Sequence, residues 1–234
     1  MISKRGNIDV KFVESNANAN TYDKRLDYML QFVINNPSSL IIASEVYLSG
    51  FDYDNMEQAS HFSEFAIEKL LETTKDQIVV FSAIRKIDND FVNQAIVINQ
   101  HKICHIQEKA KLFKLGNEDK YFKAGKTDCI VPFEINGLKI GILICFELRF
   151  KELWKQLEGC DIVVVPAKWG KPRELHFKVL SNALAIMNQC FVAAHSSGDE
   201  TMTNMSSIYS PNGEKVDNID LREITKIRRY IVME

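Results

Sequence analysis

Ile130-Val131-Pro132-Phe133-Glu134-Ile135-Asn136-Gly137-Leu138-Lys139-Ile140-Gly141-Ile142-Leu143-Ile144 is two apolar runs divided by Asn136-Gly137. Asn-Gly is the favoured pair of a type I′ turn, because both residues tolerate positive φ, so the stretch predicts a hairpin of strands over 130–135 and 138–144. Outward from it, strand-like and helix-like periods alternate. Downstream, 150–158 reads as a helix ended by Gly159, 161–165 as a buried strand stopped by Pro166, 174–189 as a helix and 191–194 as a strand. A second hairpin over 206–209 and 214–216 turns at Pro211-Asn212-Gly213, and 222–234 is a charged tail. Upstream, 9–13 is a weak strand, and 22–35 carries Leu26, Met29, Leu30, Phe32 and Val33 at helical spacing. Residues 40–43 form a short buried strand, 62–73 a helix with Phe62, Phe65, Ala66 and Leu70 on one stripe, and 78–84, 91–99 and 103–107 further strands. Hairpins set among strand–helix units argue against a purely parallel doubly wound sheet. Two mixed sheets packed face to face with helices outside, an α/β four-layer α-β-β-α sandwich, would use every element.

The 234 residues, 46% apolar and 26% charged, suit one folded domain over 1–234, and neither linker nor repeat divides them. A formal net charge of −2 supplies no basic field for nucleic acid or an anionic membrane. The longest apolar runs, 140–146 and 162–167, fall far short of the ~20 residues that span a bilayer. Met1 to Asn7 is followed by no apolar run of the secretory kind, so a cytoplasmic location is expected. Cysteines stand at 104, 129, 145, 160 and 190, an odd number without a C-x-x-C pair, which argues against a disulfide framework or a zinc ribbon.

Three strand ends carry reactive side chains. The apolar run 141–144 delivers Cys145 to a strand-to-helix turn, where ligands of α/β sheets gather and backbone N–H groups can stabilise a thiolate or an oxyanion. Taken alone, such a Cys is more often a small buried hydrophobe. Leu40-Ile41-Ile42-Ala43-Ser44 ends on Glu45, where desolvation would raise a carboxyl toward general-base work, although a sheet-capping Glu paired with a lysine would look the same. Glu108-Lys109-Ala110-Lys111-Leu112-Phe113 follows a third strand; a lysine there could hold an oxyanion or could belong to a solvated basic run. His195, after the strand 191–194, is the best partner for a Cys–His pair.

Together these strand ends resemble the nitrilase superfamily of carbon–nitrogen hydrolases over roughly residues 25–225. Glu45-Val46-Tyr47-Leu48-Ser49-Gly50-Phe51 resembles the family's first motif, Lys109-Ala110-Lys111-Leu112-Phe113 its second, and Cys145-Phe146-Glu147-Leu148-Arg149-Phe150-Lys151-Glu152 its third. Glu118 ahead of Gly125, the run from Asp161 to Trp169 and Ser206 through Gly213 resemble later family features. Departures are Ser44 for proline, Lys111 for histidine, Glu147 for aspartate and Lys151 for proline. Leu184 and Met187 replace two charged residues, as an ion pair swapped for a hydrophobic contact would.

The resemblance implies a Glu45-Lys109-Cys145 triad acting on a small amide or carbamoyl compound through a Cys thioester, with release of ammonia or an amine. It implies an oxyanion held by Lys109 and the Phe146 backbone N–H, with Glu118 as a second carboxylate and Trp169 lining the substrate pocket. It implies an amidase-like activity, needing neither metal nor organic cofactor, in a homodimer or higher homo-oligomer. A nitrile hydrolase, or a non-catalytic regulatory relative keeping the fold, is the alternative.

Overall fold

The computed structural model describes residues 6–224. Its first half runs β1 (Asn7–Ile8), β2 (Val10–Val13), α1 (Tyr22–Asn35), β3 (Leu40–Ala43), α2 (Met56–Thr73), β4 (Ile78–Ile87), β5 (Asp90–Asn99) and β6 (Lys102–Glu108). The one-turn α3 (Glu118–Tyr121) leads to β7 (Phe133–Ile135), β8 (Leu138–Ile142), α4 (Lys151–Gln156), β9 (Ile162–Ala167) and α5 (Glu174–Asn188). Then come β10 (Phe191–Ser196), β11 (Met205–Tyr209), β12 (Lys215–Val216) and β13 (Ile219–Asp220). One sheet is ordered β2-β3-β4-β5-β6, the other β12-β11-β10-β9-β8-β7, and β1 pairs with β13. Both large sheets are mixed. β2, β3 and β4 are parallel, as are β8, β9 and β10, while the remaining neighbours run antiparallel.

Side-chain alternation along β3 and β4 makes the layers. Leu40, Ile42, Ile78 and Val80 join Ile140, Ile142, Val163 and Val165 in one buried cluster that also takes Leu153, Phe177 and Leu184 from α4 and α5. Their neighbours Ile41, Ala43, Val79 and Phe81 point the other way and pack on Leu26, Met29 and Val33 of α1 and Ala66, Ile67 and Leu70 of α2. A strand covered on both faces reads as a continuous apolar run, which is why 40–43 and 78–84 show no polar alternation. The result is the expected α-β-β-α sandwich with two mixed sheets.

The first hairpin forms with Ile135 opposite Leu138 and positive φ at Asn136 (54°) and Gly137 (80°), as a type I′ turn requires. Its first strand begins at Phe133 rather than at 130, since Pro132 has no N–H for the ladder. Pro166 does not stop β9. The β8 partner ends at Val164, so past that point one side of β9 carries no ladder for a proline to break, and the strand continues to Ala167 against β10. Helix α2 starts at Met56, and its buried stripe is Ala59, Ser63, Ala66, Ile67 and Leu70; Phe65 points outward. Small residues let α2 lie close to its sheet, and an apolar count alone misplaces the stripe. Leu184 is fully buried whereas Met187 is 70% exposed, so these two do not form the contact expected of them. Of the charged tail, residues 225–234 lie outside the described residues.

Candidate active site

Glu45, Lys109 and Cys145 each follow the end of a strand, β3, β6 and β8, and all three side chains are buried. They come from both sheets and meet where those sheets face each other. Lys109 Nζ lies 2.6 Å from Glu45 Oε1 and 2.8 Å from Glu118 Oε1, with neither ammonium nor Glu45 exposed at all. The Cys145 thiol lies close enough to Glu45 for the carboxyl group to disfavour its ionisation. Glu118, the first residue of α3, uses its other oxygen to accept from the Phe113 N–H at 2.9 Å. A carboxylate–ammonium–carboxylate line therefore runs through the interior, with the thiol beside it.

Charge follows from that packing. Burial alone would lower the Lys109 pKa, but Glu45, Cys145 and Glu118 outweigh it and keep the ammonium protonated well above its ordinary range. Burial pushes the Cys145 thiol well up; Glu45 adds to this and Lys109 opposes it, so the resting sulfur is a neutral thiol. Glu118 is raised by burial, against the pull of Lys109.

Backbone geometry at the site is unusual. Cys145 has φ 48° and Val46, directly after Glu45, has φ 41°. Left-handed conformations cost a non-glycine residue on the order of 1–3 kcal/mol and persist only where the surroundings enforce them. The Val46 N–H is held by Ser82 Oγ at 2.9 Å. At Cys145 the restraint is Glu147, fully buried two residues on. Its two oxygens accept from the Ile144 N–H at 2.7 Å and the Ala110 N–H at 2.6 Å, tying the Cys145 turn to the end of β6. Burial pushes Glu147 up to about 7 even against these two bonds. Asn93 of β5 donates to Glu45 Oε1 at 2.9 Å, and the Lys168 N–H donates to Glu45 Oε2 at 3.1 Å. Glu147 and Asn93 were not among the residues expected at the site. Neither stands out in the sequence: Asn93 is one of three amides in 91–99, beside Gln94 and Asn99, and Glu147 shares its turn with Arg149.

Cys145 opens onto a small pocket with Phe113, Phe146, Arg149, Lys168, Trp169 and Arg173. Its free volume is about 20 Å³, room for roughly one water. Phe113 tilts against Phe146 at 5.1 Å and Arg173 lies 5.2 Å over Phe113; a larger apolar groove of about 530 Å³ adjoins these side chains. Trp169 is 4% exposed, with Arg149 5.0 Å above its ring and its indole N–H donating to the Arg173 carbonyl. Burial and the nearby Arg173 both disfavour the charge on Arg149; neither arginine pairs with a carboxylate among the described residues, and Arg149 meets His176 Nδ1 instead.

The carbon–nitrogen hydrolase family model matches residues 14–227. The chain belongs to the carbon–nitrogen hydrolase family. Among curated relatives of this hydrolase, the 2-oxoglutaramate amidase of Bacillus subtilis (strain 168) is 30% identical, over 83% of this chain and 83% of that protein. Omega-amidase YafV of Escherichia coli (strain K12) is 26% identical, over 95% of this chain and 86% of its own. Among solved structures, the carbon–nitrogen hydrolase of Helicobacter pylori G27 has the same fold, with a TM-score of 0.79 at 18% identity over 97% of this chain and 94% of that one. The hydrolase is thus of the amidase type, acting on amide C–N bonds.

His195 is engaged elsewhere in this hydrolase. It is fully buried, its ring nitrogens lie 3.0 Å from the Val13 carbonyl and 3.0 Å from Ser206 Oγ, and its ring stacks on Phe12. Those contacts tie β10 to β2 and leave no ring nitrogen for a Cys–His pair. No helix among the described residues is long and apolar enough to cross a membrane.

Proposed function

We propose that this hydrolase cleaves the terminal amide of a small amide that also carries a carboxylate, a dicarboxylic acid monoamide, through a Cys145 thioester. One observation carries the substrate class: two guanidiniums without a carboxylate partner among the described residues, Arg149 and Arg173, line the same pocket as the thiol. Placing two like charges beside a nucleophile is unfavourable until an anion joins them, and a substrate carboxylate would both pair with them and draw Arg173 off Phe113. Similarity to a 2-oxoglutaramate amidase, whose named substrate carries a carboxylate, supports the same class.

Since the thiol is neutral at rest, attack must be coupled to proton transfer. Glu45 accepts the Cys145 proton as sulfur attacks the carbonyl carbon, and the oxyanion is met by the Lys109 ammonium and the Phe146 N–H. The tetrahedral species collapses with C–N cleavage as Glu45 returns the proton to nitrogen, and ammonia leaves. Water then attacks the thioester, with Glu45 taking its proton; C–S cleavage restores the thiol and releases the acid. Glu118 keeps Lys109 charged and aimed. Assembly as a homodimer and a cytoplasmic location belong to the same reading.

Succinamate and butyramide differ by a carboxylate against a methyl group and provide the test. Succinamate should be hydrolysed with much the higher kcat/KM, and Arg149→Gln should raise its KM by roughly tenfold or more while changing butyramide little. Equal kcat/KM for the two amides would defeat the proposal.

A further inference from the structure

Lys168 has a second side. Besides lining the pocket of Cys145, it forms part of the wall of a separate cavity of about 550 Å³, shared with Arg25, Ser44, Tyr47, Gly50 and Asp199. Arg25 spends Nε and Nη1 on the carbonyls of Ala19 and Leu48, at 3.3 and 2.8 Å, and has no carboxylate partner among the described residues. The Lys168 ammonium likewise has no partner there, and burial and Arg25 both disfavour its charge. The two cations look onto one spot: a methyl group built on Gly50 would stand 3.7 Å from Lys168 Nζ and 3.9 Å from Arg25 Nη1. Gly50 has φ +69°, where a side chain is strained, so that spot stays open.

Hydroxyls complete the set. Ser44 is fully buried and Tyr47 is 4% exposed, both border the cavity, and neither hydroxyl has a hydrogen-bond partner. Buried polar groups without partners are costly and uncommon, and two against one cavity point to a ligand that satisfies them. Two acids bear on Lys168. Glu45 is already held by Lys109, Asn93 and the Lys168 N–H, and Asp199 at the rim accepts from the N–H and hydroxyl of Thr201. Two cations and two hydroxyl donors call for an oxyanion; the rim carboxylate favours a single negative charge over a dianion.

We propose that this cavity is a second binding site, distinct from the pocket of Cys145, whose ligand is a small carboxylate. It stands independently of the reaction proposed above, because it uses none of Cys145, Arg149 and Arg173. The test is titration calorimetry with acetate and with inorganic phosphate on the Arg149→Gln/Arg173→Gln protein, whose catalytic pocket has lost its guanidiniums. Acetate should bind saturably and more tightly than phosphate at neutral pH. Adding Arg25→Gln should weaken acetate roughly tenfold or more, and adding Tyr47→Phe severalfold, as expected for loss of charged and neutral donors to a carboxylate. Should Arg25→Gln fail to fold, Tyr47→Phe and Lys168→Gln carry the test. Absence of acetate binding into the tens of millimolar, binding indifferent to these substitutions, or tighter binding of phosphate would overturn the proposal.

Discussion

Replacing Glu147 by glutamine tests how the Cys145 turn is held. The wild-type carboxylate accepts two backbone N–H groups, one from each side of the site. Glutamine is nearly isosteric but offers a single acceptor oxygen, so its NH₂ must face either Ile144 N–H or Ala110 N–H. One buried donor is then unsatisfied, which costs about 1–3 kcal/mol. Against this stands the cost of the buried charge. The Glu147 pKa is raised from 4.5 to about 7. Between those values the unfolded chain has released the proton and the folded chain has not. The folded state therefore binds more protons, and this group's contribution to stability falls as pH rises through the window. At 1.36 kcal/mol per unit the fall amounts to about 3 kcal/mol, absent below 4.5 and complete above 7. Urea unfolding followed by circular dichroism from pH 4 to 8 should show that decline in the wild type and its loss in Glu147→Gln, read as the difference between the two so that other titrating groups cancel. Because a displacement of about 1 Å at a reacting group can cost about a hundredfold in rate, kcat should also drop by one to two orders of magnitude in the variant. Parallel stability curves for the two proteins, or an unchanged kcat, would refute the role given to Glu147.

On the proposed mechanism Cys145→Ala should abolish ammonia release while leaving the melting curve cooperative; residual turnover near wild type would remove Cys145 as nucleophile. Lys109→Arg should be inactive as well, since a planar fork cannot fill the point-charge position between Glu45 and Glu118; near-normal activity would move the oxyanion contact elsewhere. Iodoacetamide at neutral pH, followed by peptide mass spectrometry, should modify exposed Cys129 well before Cys145, because the latter is 7% exposed and its thiol is held protonated. Fastest labelling at Cys145 would contradict the neutral-thiol resting state.

Much of this fold was legible because its strands are buried on both faces and its turns use residues with a stated backbone requirement, as at Asn136-Gly137. The misreadings have physical causes. Pro166 looked like a stop because the sequence does not say where the neighbouring strand ends. Phe65 looked like core because α2 packs through Ala59, Ser63 and Ala66, and small residues give no hydrophobic signal. Glu45, Lys109 and Cys145 stand out as polar groups at the ends of apolar runs. Asn93 and Glu147 did not, because their work consists of hydrogen bonds to groups far away in sequence, 48 residues for Asn93 and Glu45, 37 for Glu147 and Ala110.

That long-range wiring bears on the electrostatics. Glu45, Glu118, Lys109 and Cys145 are buried side by side, and a low-dielectric interior tolerates such ionisable groups only with dense hydrogen bonding. Glu45 supplies the example, since its carboxylate accepts from Lys109, from the Asn93 amide and from the Lys168 N–H. On the proposed mechanism, passing the Cys145 proton to Glu45 takes a carboxyl group already held by three donors as the acceptor and leaves the charge on sulfur. The step is uphill at rest, as the raised thiol pKa records. It becomes worthwhile only when a carbonyl carbon is present to take the sulfur's electrons and move the charge onto oxygen, toward Lys109. On that mechanism, the same wiring that raises the thiol keeps Cys145 quiet until an amide occupies the pocket.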